Sequence, residues 1–241
     1  MEVPAVGDGS REAARRWGVP WRAAVTEGTP CLWMAAEGLT LGRWGERVGR
    51  VRVDFLAGPA GYRLRHGDAG QAVARAVGVR AGRRPRVLDL TAGLGGDAMA
   101  LAALGCTVWM VERIPQVAAL LDDGLRRAAE RLDWVPERLR LVGGEARAVA
   151  PALAAALRPE VVYLDPMYPE GRRRAAARKE MALFRDWFGG DEDADDLLSL
   201  ALSLGARRVV VKRPRKAPPL AGRAPDASRV GRSTRFDLYG S

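Results

Sequence analysis

The sequence predicts an α/β protein: a mostly parallel sheet with helices on both faces, preceded by a small, mainly β N-terminal region. Three observations predict it. From residue 86 onward, short apolar runs alternate with segments of helical period, the pattern of strand–helix–strand units. The first of these runs ends in a glycine-rich turn that opens a helix, "VLDLTAGLGGDAMA". Residues 1–67, by contrast, are rich in glycine and tryptophan and show no such alternation. The spacing therefore divides the chain into a small N-terminal region, 1–67, and a main domain, 68–241, with the boundary near Gly67.

Within the N-terminal region, short strands are expected near Cys31–Ala35, Leu39–Leu41 and Val51–Phe55. In "GDAGQAVARAVGV", Ala72, Val73, Ala76 and Val77 fall at helical spacing and the segment closes on Gly78. "RVLDL" (86–90) reads as a buried strand and "GGDAMALAALG" (95–105) as the helix after it. "TVWMVE" (107–112) is the next strand. The helix of 115–132 follows, with Pro115 in its first turn, where a missing N–H costs nothing. "LRLVGG" (139–144), a helix over 146–157 and "VVYLD" (161–165) continue the alternation. "DEDADDLLSLALSLG" (191–205) is a helix with its acids in the first turn, favourable to the helix dipole. "ARRVVVKRP" (206–214) and "TRFDLYG" (234–240) complete the strands, the last returning as an antiparallel edge.

Apolar residues make up 48% of the 241 residues, enough for a sizeable core. No apolar run is long enough to span a membrane, and the N-terminus lacks the pattern of a signal peptide. Cys31 and Cys106 fit no metal spacing and read as buried free thiols in a reducing cytoplasm; His66 is the single histidine, so no metal centre is expected. Trp17, Trp21, Trp33 and Trp44 read as a small core. The formal charge of +10 points to a polyanionic partner. Its distribution is more telling than its size: ten basic residues against one acid lie between Arg207 and Arg235, and Arg172, Arg173 and Arg174 form a second cluster.

Asp89, Gly93, Gly95 and Gly96 lie between a strand and a helix, where glycines permit a tight turn and close approach of a ligand to backbone. Nineteen residues beyond Gly93, Glu112 ends the second strand, placed to accept the ribose hydroxyls of an adenosine cofactor. A dinucleotide and S-adenosyl-L-methionine both suit this layout. Asp89 favours the latter, since a carboxylate suits a cationic amino-acid end and repels a pyrophosphate. The fourth strand ends in "DPMYP". There Asp165 can accept hydrogen bonds from an exocyclic base amine, Pro166 fixes the turn, and Tyr168 can stack on the base. Lys212 and Arg213, ending the fifth strand, read with Arg172, Arg173 and Arg174 as RNA contacts.

"DPMYP" resembles the Asp/Asn-Pro-Pro-aromatic motif of amino-group methyltransferases, with Met167 as the departure. The wider pattern resembles one family, the bacterial small-subunit ribosomal RNA guanine-N2 methyltransferases of the J type. The likeness runs from about Val51 to Tyr239, through "VDFLAGPAGYRLRHG", "DLTAGLGGDA", "GCTVWMVER", "VVYLDPMYP", "RRVVVKRP" and "RFDLYG". It implies a class I methyltransferase (Rossmann-like) fold and S-adenosyl-L-methionine as donor. It also implies methylation of a guanine N2 in 16S ribosomal RNA, guanosine 1516 in the usual bacterial numbering. The partner would be the small ribosomal subunit or its precursor, in the cytoplasm, with no metal and no membrane. Cofactor contacts are implied at Gly96 and Asp97, Glu112 and Arg113, Glu145 and Ala146, and Asp165. Relatives often carry arginine where this chain has Gly96, so a contact there runs through backbone, and small hydroxyl residues where it has Glu145 and Ala146. Three rival readings are a methyltransferase of adenine N6 or cytosine N4, a nicotinamide-dependent oxidoreductase and a non-catalytic RNA-binding protein.

Overall fold

The computed structural model describes the chain except residues 1, 59, 60, 63, 65–70, 167–185, 190–193 and 241. Four strands form an N-terminal sheet: β1 (Ala5–Val6), β2 (Trp21–Arg22), β3 (Pro30–Ala35) and β4 (Gly38–Arg43), in the order β2-β1-β3-β4. The main sheet holds β5 (Val87–Asp89), β6 (Val108–Glu112), β7 (Leu139–Gly143), β8 (Val161–Leu164), β9 (Arg208–Pro214), β10 (Ala227–Val230) and β11 (Thr234–Tyr239). Their order is β10-β11-β9-β8-β5-β6-β7. β7, β6, β5, β8 and β9 run parallel; β11 is antiparallel to both β9 and β10.

The helices used below are α1 (Arg11–Trp17), α2 (Ala72–Val77), α3 (Gly96–Ala103), α4 (Pro115–Ala129), α5 (Ala146–Leu157) and α6 (Ala194–Ser203). Strands buried on both faces need apolar residues at every position, which is why "VVYL" and "RVVV" read as continuous runs. Alternate residues then serve two cores. Val87, Val161, Tyr163, Val210 and Phe236 pack with α2, α3 and α4, while Leu88, Val162, Leu164, Val209 and Val211 pack with α5 and α6.

The first core continues into the N-terminal sheet through Leu32, Leu39, Leu41, Val53 and Phe55. Two buried acids on α4 fix that contact. Asp123 Oδ2 accepts the Leu39 N–H at 3.1 Å and Arg127 Nε at 2.9 Å, and Asp122 Oδ2 accepts Trp17 Nε1 at 3.2 Å. Gly124 lets this happen: a Cβ there would collide with Val53. The expected boundary near Gly67 lies outside the described residues, as does His66.

Three expectations need correction. Val51–Phe55 is not a strand: only Val51 bridges, to Leu41. The Asp54 carboxylate accepts the N–H groups of Leu56 at 2.9 Å and Ala57 at 3.0 Å, and this local turn ends the extended run. The N-terminal region also contains α1 and two short parallel strands that its composition did not announce. Finally, β11 is antiparallel but not at the edge. That place belongs to β10, whose residues "ASRV" are all exposed and so carry no hydrophobic alternation to read. Both cysteines are buried and unpaired, and burial pushes each thiol up to about 11. No helix among the described residues is long and apolar enough to cross a membrane.

Candidate active site

The chain runs outward from β5 to β6 and β7, then crosses back to β8 on the other side of β5. At such a reversal the connecting segments diverge and leave a crevice at the carboxyl ends of the strands. Here it is a cavity of about 460 Å³. All ten residues singled out from the sequence for the cofactor line it: Asp89, Gly93, Gly95, Gly96, Asp97, Glu112, Arg113, Glu145, Ala146 and Asp165.

The glycine turn works through backbone geometry. Gly93 has φ +53° and Gly95 φ +73°, a left-handed conformation that glycine adopts without penalty. At Gly95 a Cβ would also lie 2.6 Å from Leu121 Cδ1 and 3.3 Å from Phe55 Cζ. Glu112 closes the turn from the next strand. Its Oε2 accepts the Gly93 N–H at 2.8 Å and its Oε1 the Ile114 N–H at 2.8 Å.

Asp89 lies at the floor, 3% exposed, with its Oδ1 accepting the Thr91 N–H at 3.0 Å. Burial raises its carboxyl to about 8, and the Asp97, Asp165 and Glu112 carboxylates add to the rise, against the opposing Thr91 bond. Thr91 Oγ1 in turn accepts the Asp165 N–H at 2.6 Å, tying the ends of β5 and β8 together. Lys212 Nζ reaches Asp97 Oδ2 at 2.7 Å and Asp165 Oδ2 at 2.8 Å, while the Tyr163 hydroxyl donates to Asp97 Oδ2 at 2.6 Å. Burial alone would lower the Lys212 ammonium, but the two carboxylates outweigh it and hold it above the usual lysine range. Burial and the neighbouring acids likewise hold the Tyr163 hydroxyl well above its usual range, so it stays protonated and donates.

The cation-rich expectation for the β9 end divides. Lys212 stands inside the cavity, its ammonium on two carboxylates, and not on the outer surface. Arg213 is buried and donates through Nε at 3.3 Å and Nη2 at 3.0 Å to the Pro218 carbonyl. Pro166 is buried at the end of β8; Tyr168, Arg172, Arg173 and Arg174 lie outside the described residues. Thr91, Tyr163 and Leu197 line the cavity without having been singled out. The register held the signal for two site members. Tyr163 sits two residues before Asp165, on the same strand face. The Leu164–Val211 pairing makes Lys212 the neighbour of Asp165 across the strands.

The cavity fits a cationic adenosine cofactor better than a dinucleotide. Three carboxylates, of Asp97, Glu112 and Asp165, line it together with the Asp89 carboxyl, which a bound cation would ionise. They complement a sulfonium and an ammonium, and they repel a pyrophosphate. The volume is within the range of small-molecule sites.

Comparison with known proteins points the same way. The SAM-dependent methyltransferase family model SAM_MT matches residues 12–241. The ribosomal RNA small subunit methyltransferase J of Pseudomonas aeruginosa is 47% identical, over 99% of this chain and 94% of its own. That of Yersinia pestis is 49% identical, over 95% of this chain and 89% of its own. The crystal structure of a SAM-dependent methyltransferase from Neisseria gonorrhoeae matches with a TM-score of 0.78 and 38% identity, covering 98% of this chain and 94% of its own.

Proposed function

The chain belongs to the ribosomal RNA small subunit methyltransferase J family, and we propose that its acceptor is the exocyclic N2 amine of a guanine in 16S ribosomal RNA, guanosine 1516 in the usual bacterial numbering. The enzyme is a SAM-dependent methyltransferase of ribosomal RNA. The observation that carries the finer reading is the position of Asp165 in the lining of the acid-rich cavity, just after β8 and beside the buried Pro166. In this reading the enzyme works in the cytoplasm, on the small subunit or a precursor of it, which an rRNA substrate supports.

S-adenosyl-L-methionine, when bound, supplies an electrophilic methyl on a positively charged sulfur. In our reading Glu112 takes the ribose hydroxyls and the Gly93–Gly96 backbone lies against the cofactor. Asp89 and Asp97 face its cationic end, and Arg113, Glu145 and Ala146 border the adenine. A guanine N2 amine is a weak nucleophile, because its lone pair is delocalised into the ring. Asp165 and a backbone carbonyl beside Pro166 accept its two N–H groups, which localises the lone pair and aims the nitrogen; such orientation can supply much of the rate. As charge develops on the nitrogen, the Asp165 carboxylate takes the departing proton. Tyr168 stacks on the flipped base. The Lys212 ammonium keeps the Asp165 carboxylate turned to this task.

The test is a labelled-methyl assay on hypomodified small subunits, with the product nucleoside identified by mass and its position mapped. N2-methylguanosine is the expected product. N6-methyladenosine or N4-methylcytidine would overturn the choice of acceptor and leave the chemistry standing.

A further inference from the structure

We propose that the exit of β9 and the β10–β11 hairpin form a docking surface for the ribosomal RNA strand flanking the target base, with Arg215, Lys216, Arg229 and Arg232 as its phosphate-binding cations. The inference rests on the reading of the protein as an RNA methyltransferase and adds a place where the RNA backbone lies.

The register puts these four cations at the reaction end of the sheet. β9 leaves the cavity at Lys212 and runs on to Pro214, so Arg215 and Lys216 follow within four residues. β11 pairs Thr234 with Pro214 and Arg235 with Arg213, and β10 pairs Val230 with Arg235. The hairpin turn of residues 231–233 therefore projects from the same end as Asp165. Lys212, Phe236 and Arg229 are paired across β9, β11 and β10, so their side chains share one face of the sheet. A row thus runs from Asp165 across three strand spacings, about 14 Å, to Arg229 at the edge.

All four cations are exposed, and among the described residues none is in an ion pair. The neighbouring arginines are committed elsewhere: Arg235 to Asp237 at 2.7 Å, and Arg213 to the Pro218 carbonyl. The surface is also held in shape. The Arg215 N–H donates to the Ser233 carbonyl at 3.2 Å, and Arg235 Nη1 donates to the Arg215 carbonyl at 3.3 Å, so the two turns are joined. Val230, 58% exposed, follows Arg229 at the end of β10, on the opposite face, and offers apolar contact to a sugar or base near the turn. Two exposed arginines without a side-chain ion pair among the described residues, Arg80 and Arg207, lack this geometry. They precede β5 and β9, at the opposite end of the sheet. An edge strand ringed by cations repels a basic protein strand and attracts a polyanion, which favours RNA as the occupant.

The experiment compares wild type with a fourfold variant, Arg215→Ala, Lys216→Ala, Arg229→Ala and Arg232→Ala, and with a control, Arg80→Ala and Arg207→Ala. Methyl transfer to hypomodified small subunits is followed across a salt series, alongside S-adenosylhomocysteine binding. For the fourfold variant the expected result is a KM for the RNA substrate raised at least tenfold, with kcat and S-adenosylhomocysteine affinity unchanged. The log–log salt slope should shrink by about 0.7 per cation lost, roughly 3 in all. The control should keep the wild-type slope. An active wild type beside a fourfold variant with unchanged KM and slope overturns the surface alone. A wild type that methylates no small-subunit RNA overturns the reading beneath it as well.

Discussion

Lys212 and Asp165 form an ion pair of 2.8 Å inside the cavity, and the same ammonium holds Asp97 at 2.7 Å. One cation on β9 thereby joins the acid that ends β8 to the acid in the first turn of α3. Replacing it leaves two carboxylates with mutual repulsion and no common partner. Lys212→Met should lower kcat about 100-fold, the scale of loss when a reacting group is misplaced by an ångström. The KM for RNA should stay near wild type. A loss confined to KM for RNA would instead make Lys212 a phosphate contact.

In the proposed mechanism Asp165 accepts the amine proton, so Asp165→Ala should abolish turnover while the melting temperature stays close to wild type. Asp165→Asn keeps a carbonyl acceptor and loses the proton-accepting charge, and it should retain a measurable fraction of activity. Steady-state methyl transfer beside thermal unfolding reads both; full activity in the alanine variant would remove Asp165 from the mechanism.

Asp89 predicts a pH dependence. Its carboxyl rises from 3.8 to about 8 in the folded protein, first through burial. Between those values the native state holds a proton that the unfolded chain has lost. This group's contribution to stability is therefore fully present below pH 4 and is lost as pH climbs to about 8. A bound cation favours the carboxylate, so binding S-adenosylmethionine below pH 8 should release a proton. Affinity should rise with pH and level off above about 8. Titration calorimetry in buffers of different ionisation enthalpy measures that release, and Asp89→Asn should remove it. Heats independent of the buffer would contradict the assignment.

Gly95 combines φ +73° with a backbone packed against Leu121 and Phe55. Gly95→Ala should cost about 1–3 kcal/mol of stability, from strain and from the displaced neighbours together. It should also weaken S-adenosylhomocysteine binding, since the turn caps α3 at the cavity. Chemical denaturation and ligand titration test the two effects separately. Gly82→Ala, at φ +70° with open space around it, isolates the strain alone.

The order of strands and helices from β5 to β9 was readable because each strand is buried on both faces and each helix shows its own period. Pro115 at the start of α4 and Gly78 after α2 marked ends that the structure keeps. β10 was not readable: its four residues are exposed, and only its pairing with β11 makes it a strand. The same limit hid the docking of the N-terminal region. Asp122 and Asp123 fall within the helix the sequence shows, but nothing local announces that both are buried and bind Trp17, Leu39 and Arg127.

The sequence by itself determined the alternating α/β pattern, the glycine turn, the acid at its expected distance and the carboxylate ending the fourth strand. These are local signals, written in the spacing of neighbours along the chain. Tertiary structure alone decided which charges meet. Lys212 lies forty-seven residues from Asp165 in the chain and one strand away in the sheet. Its partners follow from register and burial, which no short window of sequence contains. A lysine that looked like one more cation for RNA is therefore a paired charge in the cavity. The exposed cations Arg215 and Lys216 follow β9, and Arg229 lies two strands farther out, on the edge strand β10.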